Sequence, residues 1–463
     1  MKQHLLALTA GLFLVGCGSG GGDKSDSGGS VDVPVPPSGT SQQSTLLPTL
    51  LGDALITDIV DIDLNNDGYQ DLILIRTPSN YGVARFQALI NKGDKSFVDE
   101  TAMYFSAFEE TYYVWVDKVY LADLNQDGFL DLVPHHDQSH WNESIGIENA
   151  NEMPPLLRTA SGQFEFMDWA DLKTVGSLLP LDIDNDGDVD LMSHRFDNFG
   201  NEAQQIVWTV YQNELVETGF FTYTLIDQVI DTKKGPDNSS FIYSPVVADL
   251  NSDGFLDVFY AGPKWKNDGF INETAPFVVL ENQKNGTFKE TSDTQIVTSE
   301  QVTHAREAHA ADFNGDQFLD IIVTSHGYDG GNFEGERNLL LLANNDTQLD
   351  TQASNQTPFN YKGFTHSSDI GDIDNDGDMD IVFADITGAD VAHNGNIQIF
   401  INDGNANFNR KSTAYVLSDG GDMFLVSTKL VDLNNDGYLD LVLGGDDVKS
   451  PAVILWNDGK GNF

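Results

Sequence analysis

Apolar positions along this chain come in short runs that alternate with polar ones or are continuous over a few residues, and Gly, Asn or Asp interrupts each run. The stretch "VDLNNDGYLDLVLGG" (431–445) is representative: an apolar approach, an acidic loop with a glycine at its centre, and an apolar departure. Runs this short carry the period of strands rather than helices, and the residues between them are those that reverse a chain, so the stretch reads as two strands around a tight loop. A second apolar pair follows, closed by a Gly/Asn turn and a Phe, in "ALINKGDKSF" (88–97), "VVLENQKNGTF" (278–288), "IFINDGNANF" (399–408) and "VILWNDGKGNF" (453–463). The predicted unit is strand, acidic loop, strand, variable loop, strand, Gly/Asn turn, strand.

The unit recurs. Its acidic loop begins at Asp63, Asp123, Asp182, Asp249, Asp312, Asp372 and Asp432, at intervals of 59 to 67 residues. Four strands per repeat, seven times, predicts an all-β chain folded as a seven-bladed β-propeller with one acidic loop in each blade, over residues 44–463. The sequence stops at Phe463, where the outermost strand of the last blade is due, while the apolar "STLLPTLL" (44–51) precedes the first strand of blade one. That segment is expected to supply the missing strand and close the ring, which removes an exposed sheet edge.

Charge narrows the partners. The formal net charge is −48, from 72 acidic against 24 basic residues, so nucleic acid and anionic lipid surfaces would be repelled and a cationic partner is favoured. With 40% hydrophobic and 10% aromatic residues the body is nonetheless globular rather than a disordered acidic chain.

The acidic loops give the cation a place. Their spacing, D-x-[DN]-x-D-G-x-x-D, puts oxygen side chains at positions 1, 3, 5 and 9, a backbone carbonyl at position 7, and at position 6 a glycine that permits the tight turn. The ligand sets so predicted are Asp63, Asn65, Asp67, Tyr69 and Asp71; Asp123, Asn125, Asp127, Phe129 and Asp131; Asp182, Asp184, Asp186, Asp188 and Asp190. They continue with Asp249, Asn251, Asp253, Phe255 and Asp257; Asp312, Asn314, Asp316, Phe318 and Asp320; Asp372, Asp374, Asp376, Asp378 and Asp380; Asp432, Asn434, Asp436, Tyr438 and Asp440. The fourth residue of each set offers its carbonyl. Hard oxygens converging on one point suit Ca²⁺, up to seven ions in all, and a dication offsets the repulsion of so many carboxylates. An EF-hand is excluded, because its loop ends in a bidentate Glu at position 12, where Leu74 and Leu443 stand here, and lies between helices.

On these loops and their strand flanks the chain resembles the FG-GAP/VCBS repeat family, which includes the seven-bladed propellers of integrin α subunits. The resemblance covers about residues 44–463 and implies a structural role for calcium, with the loops on one face and the second-to-third-strand connections on the other. Two departures stand out. Only "AGP" (261–263) is similar to the Gly-Ala-Pro element of integrins, and Gln317 replaces the loop glycine of the fifth copy, where a left-handed backbone costs a non-glycine residue ~1 kcal/mol.

The first 17 residues, "MKQHLLALTAGLFLVGC", have a basic start and an apolar stretch too short for a stable membrane anchor. "LVGC" resembles the lipobox of bacterial lipoproteins, which implies lipid attachment at Cys17, the single cysteine of the chain, and export to the outer membrane or cell surface, since Gly18 rather than Asp follows. Residues 18–43, Gly/Ser-rich and then Pro-rich, read as a tether, so membrane contact is expected through the lipid alone.

The connections expected on the face opposite the acidic loops include "PHHDQSHWNE" (134–143), "SHRFDNFGNE" (193–202) and "SHGYDGGNFEGE" (325–336), joined by "ETYYVW" (110–115), "HAREAH" (304–309) and "GFTHSSD" (363–369). They make His135, His136, His194, His326, His366, Tyr112 and Trp141 the candidate ligand face. No Ser-His-Asp spacing, phosphate loop, HExxH or CxxC pattern is present, and no catalytic residue is assigned. Three functions remain open: a propeller that binds an extracellular glycan or protein, an exported enzyme acting on polysaccharide through the His-rich face, and an envelope scaffold.

Overall fold

The computed structural model describes residues 44–48, 54–78, 84–106, 116–135, 154–167, 177–197, 205–226, 242–266, 269–328, 335–345, 348–351, 357–386, 397–412, 425–446 and 451–463. They form seven four-stranded antiparallel sheets, with one two-stranded ribbon (Trp265–Lys266 with Gly269–Phe270) in the second-to-third-strand connection of blade four. Blade one is typical, running Ala54–Ile62, Asp71–Pro78, Arg85–Asn91 and Phe97–Asp99 in spatial as in sequence order. Its acidic loop joins the first two strands, as the hydrophobic pattern predicted, and the same holds in every blade.

Strands buried on both faces explain the continuous apolar runs. Seven clusters of buried side chains fill the seven junctions between neighbouring blades, from Ile62, Ile73 and Phe86 against Val119 and Phe164 between blades one and two round to Ile56 and Leu72 against Val442 and Ile454 between blades one and seven. Each sheet therefore offers one face to the blade before and the other to the blade after, and hydrophobic burial is spread around a ring rather than gathered in one centre.

The ring closes as the sequence predicted. Ser44–Leu46 pairs antiparallel with Val453–Leu455, so the first strand of the described chain is the fourth strand of blade seven. Leu47 N–H donates to the Ala452 carbonyl at 3.0 Å, and Trp456 Nε1 donates to Thr45 Oγ1 at 3.0 Å. Thr45 Oγ1 in turn donates to the Lys95 carbonyl of blade one at 3.3 Å.

A further staple recurs between blades. The asparagine that ends the third strand reaches back to the preceding blade, with Nδ2 donating to a main-chain carbonyl there: Asn91 to Leu433 at 2.7 Å, Asn213 to Leu124 at 2.9 Å, and Asn282 to Ile183, Asn402 to Phe313 and Asn457 to Ile373 at 2.8 Å. In blade two Arg158 replaces the asparagine, and its guanidinium donates to the Leu64 carbonyl at 2.6 Å. A buried carbonyl deprived of its donor costs ~1–3 kcal/mol. Asn282→Ala is accordingly expected to lower stability by about that much, read as a shift in the midpoint of chemical denaturation, whereas substituting the exposed Asn285 is expected to leave the midpoint in place.

Candidate metal loops and the opposite face

All seven acidic loops take the same backbone course, with left-handed residues at positions 4 and 6. In the first, the Asp63 carboxylate accepts the Asp67 and Gly68 N–H groups at 3.1 and 2.9 Å, Asn65 Oδ1 accepts Asp67 N–H at 2.8 Å, and Asp67 Oδ1 accepts Tyr69 N–H at 2.9 Å. Two left-handed residues make the turn: position 4, with φ of +57° at Asn66, and position 6, with φ of +88° at Gly68. Neighbouring loops also touch. Gln126 Nε2 donates to the Gly187 carbonyl at 2.9 Å, Asn185 Nδ2 to that of Gly254 at 3.2 Å, and Asn435 Nδ2 to that of Gly68 at 2.9 Å, so the loops of blades seven and one meet across the closure of the ring.

Position 9 is the buried member of each set. Asp71, Asp131, Asp190, Asp257, Asp320, Asp380 and Asp440 are at most 1% exposed, and every one accepts two main-chain N–H groups. For Asp71 these come from Leu64 of its own loop at 2.8 Å and Asn91 at the end of the third strand at 2.7 Å. Burial outweighs those bonds and pushes the carboxyl up, to about 6 at Asp71 and Asp131 and to about 7 at the other five, with the neighbouring loop carboxylates adding to the rise.

The carboxylates converge where the motif has Asp at position 3. Oxygens of Asp182, Asp184 and Asp190 lie within 4.8 Å of one another, as do those of Asp372, Asp374 and Asp380, and both groups are disposed to hold a metal ion. Asp184 Oδ1 and Asp374 Oδ1 are shielded from solvent with no hydrogen-bond donor among the described residues, which is the condition of an oxygen that a cation would satisfy. The donor set and these orphaned oxygens fit a hard divalent ion.

On the opposite face the histidines are packed rather than presented. His135 is fully buried between blades, with its ring nitrogens 3.2 Å from the Leu178 carbonyl and 3.1 Å from that of Ile242. His194, equally buried, stacks obliquely on His135 and Trp208 with ring centroids 5.0 Å away from each. His326 lies between His304 and His366, at 4.0 and 4.7 Å, with Nδ1 2.7 Å from the Gly327 carbonyl. Burial above all holds His304, His326 and His366 well below the ordinary histidine range, so they are neutral near pH 7. His304 Nε2 is 3.0 Å from the Tyr243 hydroxyl, and the Arg306 guanidinium sits 4.1 Å over the Tyr243 ring.

A local irregularity puts two of these groups there. The innermost strands of blades one, five, six and seven each carry a bulge at the same place, and the extra residue is Arg306 in blade five and His366 in blade six. A bulge re-aims its side chain out of the ladder.

The model of the FG-GAP-like repeat family matches residues 63–133 and 249–323, two of the stretches that contain these loops. The chain is a seven-bladed propeller that carries FG-GAP-like repeats over those two stretches. No curated protein matches it. Among solved structures it is similar to a Photorhabdus luminescens Tc holotoxin pore, at 12% identity and a TM-score of 0.38 over 87% of this chain and 17% of that one. It is also similar to the rhamnogalacturonan lyase YesW, at 12% identity and TM-score 0.40 over 91% and 73% of the two chains, and to a Penicillium chrysogenum alpha-L-arabinanase complexed with arabinobiose, at 15% and 0.37 over 73% and 94%.

Of the ligand-face residues named from sequence, His136, Tyr112 and Trp141 lie outside the described residues. His135, His194 and His326 correct the expectation: zero exposure and bonds to the main chain or to each other make them supports of that face, while His366 remains half-buried. Tyr243 and Arg306 went unnoticed, and the only signal for either was the "HAREAH" stretch (304–309).

Gln317 keeps the loop of the propeller's fifth blade in register. Its φ is +75° and its N–H donates to Asp312 Oδ2 at 2.8 Å, the bond that Gly68 makes in blade one, while Gly315 takes position 4 at φ +75°. Gln317→Gly is expected to stabilise the protein by ~1 kcal/mol by relieving that backbone, seen as a higher denaturation midpoint. An unchanged or lower midpoint would mean that the glutamine side chain makes compensating contacts.

Proposed function

We propose that this chain is a cell-envelope lipoprotein, tethered through Cys17 by residues 18–43, whose calcium-stabilised propeller binds an extracellular glycan or protein for adhesion or recognition. The observation that carries this reading is the sevenfold repetition of one oxygen-lined loop around a closed ring. Near-identical sites spread round a circle do not assemble into one active centre, so the ions serve as fasteners, and part of the folding free energy is metal-binding free energy. The ligand-facing work then falls to the long connections of the opposite face.

Thermal unfolding tests the metal half. Calcium is expected to raise the midpoint by many degrees over the same protein in excess chelator. The difference should also depend on pH. The position-9 carboxyls bind their protons more tightly in the folded chain than in the unfolded one, so their contribution to the metal-free protein is fully present below about pH 4 and is lost as pH rises through about 6 to 7. A bound dication removes that penalty and competes with the same protons, so the midpoint gained from calcium should grow between about pH 5 and pH 8. Equal midpoints with and without calcium would overturn the metal reading. A glycan array probed with the calcium-loaded protein then addresses the ligand.

A second reading, an exported enzyme acting on polysaccharide, is favoured by one cluster. The Tyr243 hydroxyl is hydrogen-bonded to neutral His304 beneath the Arg306 guanidinium, an acid–base pair beside a fixed positive charge. On this reading acidic polysaccharides incubated with the protein release unsaturated ends detectable by ultraviolet absorbance, and Tyr243→Phe abolishes the release. Array binding without any such product would leave recognition as the function.

A further inference from the structure

The heptapeptide "DIDNDGD" occurs in blade three (182–188) and in blade six (372–378), letter for letter, yet the two copies have different surroundings. In blade six the third and fourth strands are joined by the turn "NDGNANF" (402–408), and Asp378 is half-buried. Blade three instead joins Gln205–Asn213 to Tyr223–Ile226 through a single helical turn, Leu215–Thr218, and that turn carries Glu217 into the loop.

The consequence is a second convergence of carboxylates. Asp184, Asp186 and Glu217 offer oxygens within 4.8 Å of one another, beside the Asp182, Asp184 and Asp190 group, and among the described residues blade six has the latter kind of group alone. Asp188 stands next to it, only 1% exposed, with Asp184, Asp186 and Glu217 as near charges. Its Oδ2 accepts Val216 N–H at 3.0 Å, but its Oδ1 is sealed from solvent with no donor among the described residues, and Asp186 Oδ2 is in the same condition. Gln212 Nε2 reaches Asp184 Oδ2 at 2.6 Å and Glu217 Oε1 at 3.2 Å, so one neutral amide lies between two carboxylates. Buried carboxylate oxygens without donors are costly unless a positive charge completes them.

We propose that blade three holds two divalent cations, the ion of its own loop and a second one among Asp184, Asp186, Asp188 and Glu217, with Asp184 shared between them. The donors are all hard oxygens, so calcium is the expected occupant of both. The inference rests on the reading of the acidic loops as calcium sites and adds one ion to their number.

Equilibrium dialysis of the full chain against calcium, followed by elemental analysis, counts the ions. Glu217→Gln is expected to bind one calcium fewer than the parent, Asp182→Asn one fewer, and the double variant two fewer. Asp403→Asn, in the corresponding turn of blade six, is expected to keep the parent count. Glu217 is exposed, so its substitution should leave the chelator-treated protein's unfolding midpoint unchanged and the count meaningful. A parent-like count in Glu217→Gln would overturn the second site, and so would a double variant that loses only one ion, because Glu217 would then be an extra ligand to the loop's own cation. A parent that binds no calcium at all would overturn the loop reading itself and this site with it.

Discussion

The buried aspartate at position 9 is the interaction on which the rest of the propeller depends. In each blade it holds the N–H of the second loop residue with one oxygen and the N–H at the end of the third strand with the other, as Asp71 does with Leu64 and Asn91. The second loop residue also gives its carbonyl to the next blade, where an asparagine or Arg158 accepts the task of donating to it. Carboxylate, loop main chain, asparagine and next carboxylate thus form a hydrogen-bonded circuit that runs from Asp71 through Asp131 and Asp190 to Asp257, and again from Asp320 through Asp380 and Asp440 back to Asp71. Between blades four and five Ala343 occupies the asparagine's place, and its N–H still serves Asp320, but a methyl side chain has nothing to donate. That junction has its apolar cluster, with Phe259, Phe277, Ile321 and Leu339 among its members, and a main-chain bond from Val297 N–H to the Leu349 carbonyl at 3.1 Å.

The circuit explains why the motif keeps an acid where a neutral residue would be easier to bury. An asparagine at position 9 would offer one acceptor oxygen and present an amide to two N–H donors, leaving one of them opposed. A carboxylate accepts both, at the cost of burying a charge, and that cost appears as the rise of these carboxyls to about 6 or 7. A cation at the loop offsets the cost while using lone pairs that the two N–H donors leave over. A bound cation would therefore act on the same atoms that hold the fold.

This coupling also accounts for what was legible in the sequence. The blades, their loops and the closing strand at Ser44–Leu46 follow from local spacing repeated seven times, which a single sequence displays in full. The stapling asparagines were visible as letters, in "ALIN", "VLEN" and "LWN", but their role was not, because each acts on the main chain of another blade. The histidines failed for a related reason. His135 and His326 sit in polar-looking stretches, and only the packing of adjacent blades brings the Ile242 carbonyl over His135 and the His304 and Phe364 rings over His326. Glu217 was illegible too, since its meaning depends on a helical turn replacing the Gly/Asn turn of other blades.

A ring fixed by such a circuit differs in regularity between its two faces. The acidic face is uniform, and change there breaks bonds on which two blades depend. Among the described residues the opposite face varies more: the bulge shared by blades one, five, six and seven presents Thr57, Arg306, His366 and Val426 in turn, and blade four adds a ribbon of two short strands. In a chain of net charge −48 one of these residues is a cation, and the Arg306 guanidinium, 4.1 Å over the Tyr243 ring, lies 4.0 Å from Asp117 Oδ1, so its charge is partly balanced within the ring. On this face, then, one blade differs from another by the residue its bulge presents, while the ladder of strands around that residue stays the same.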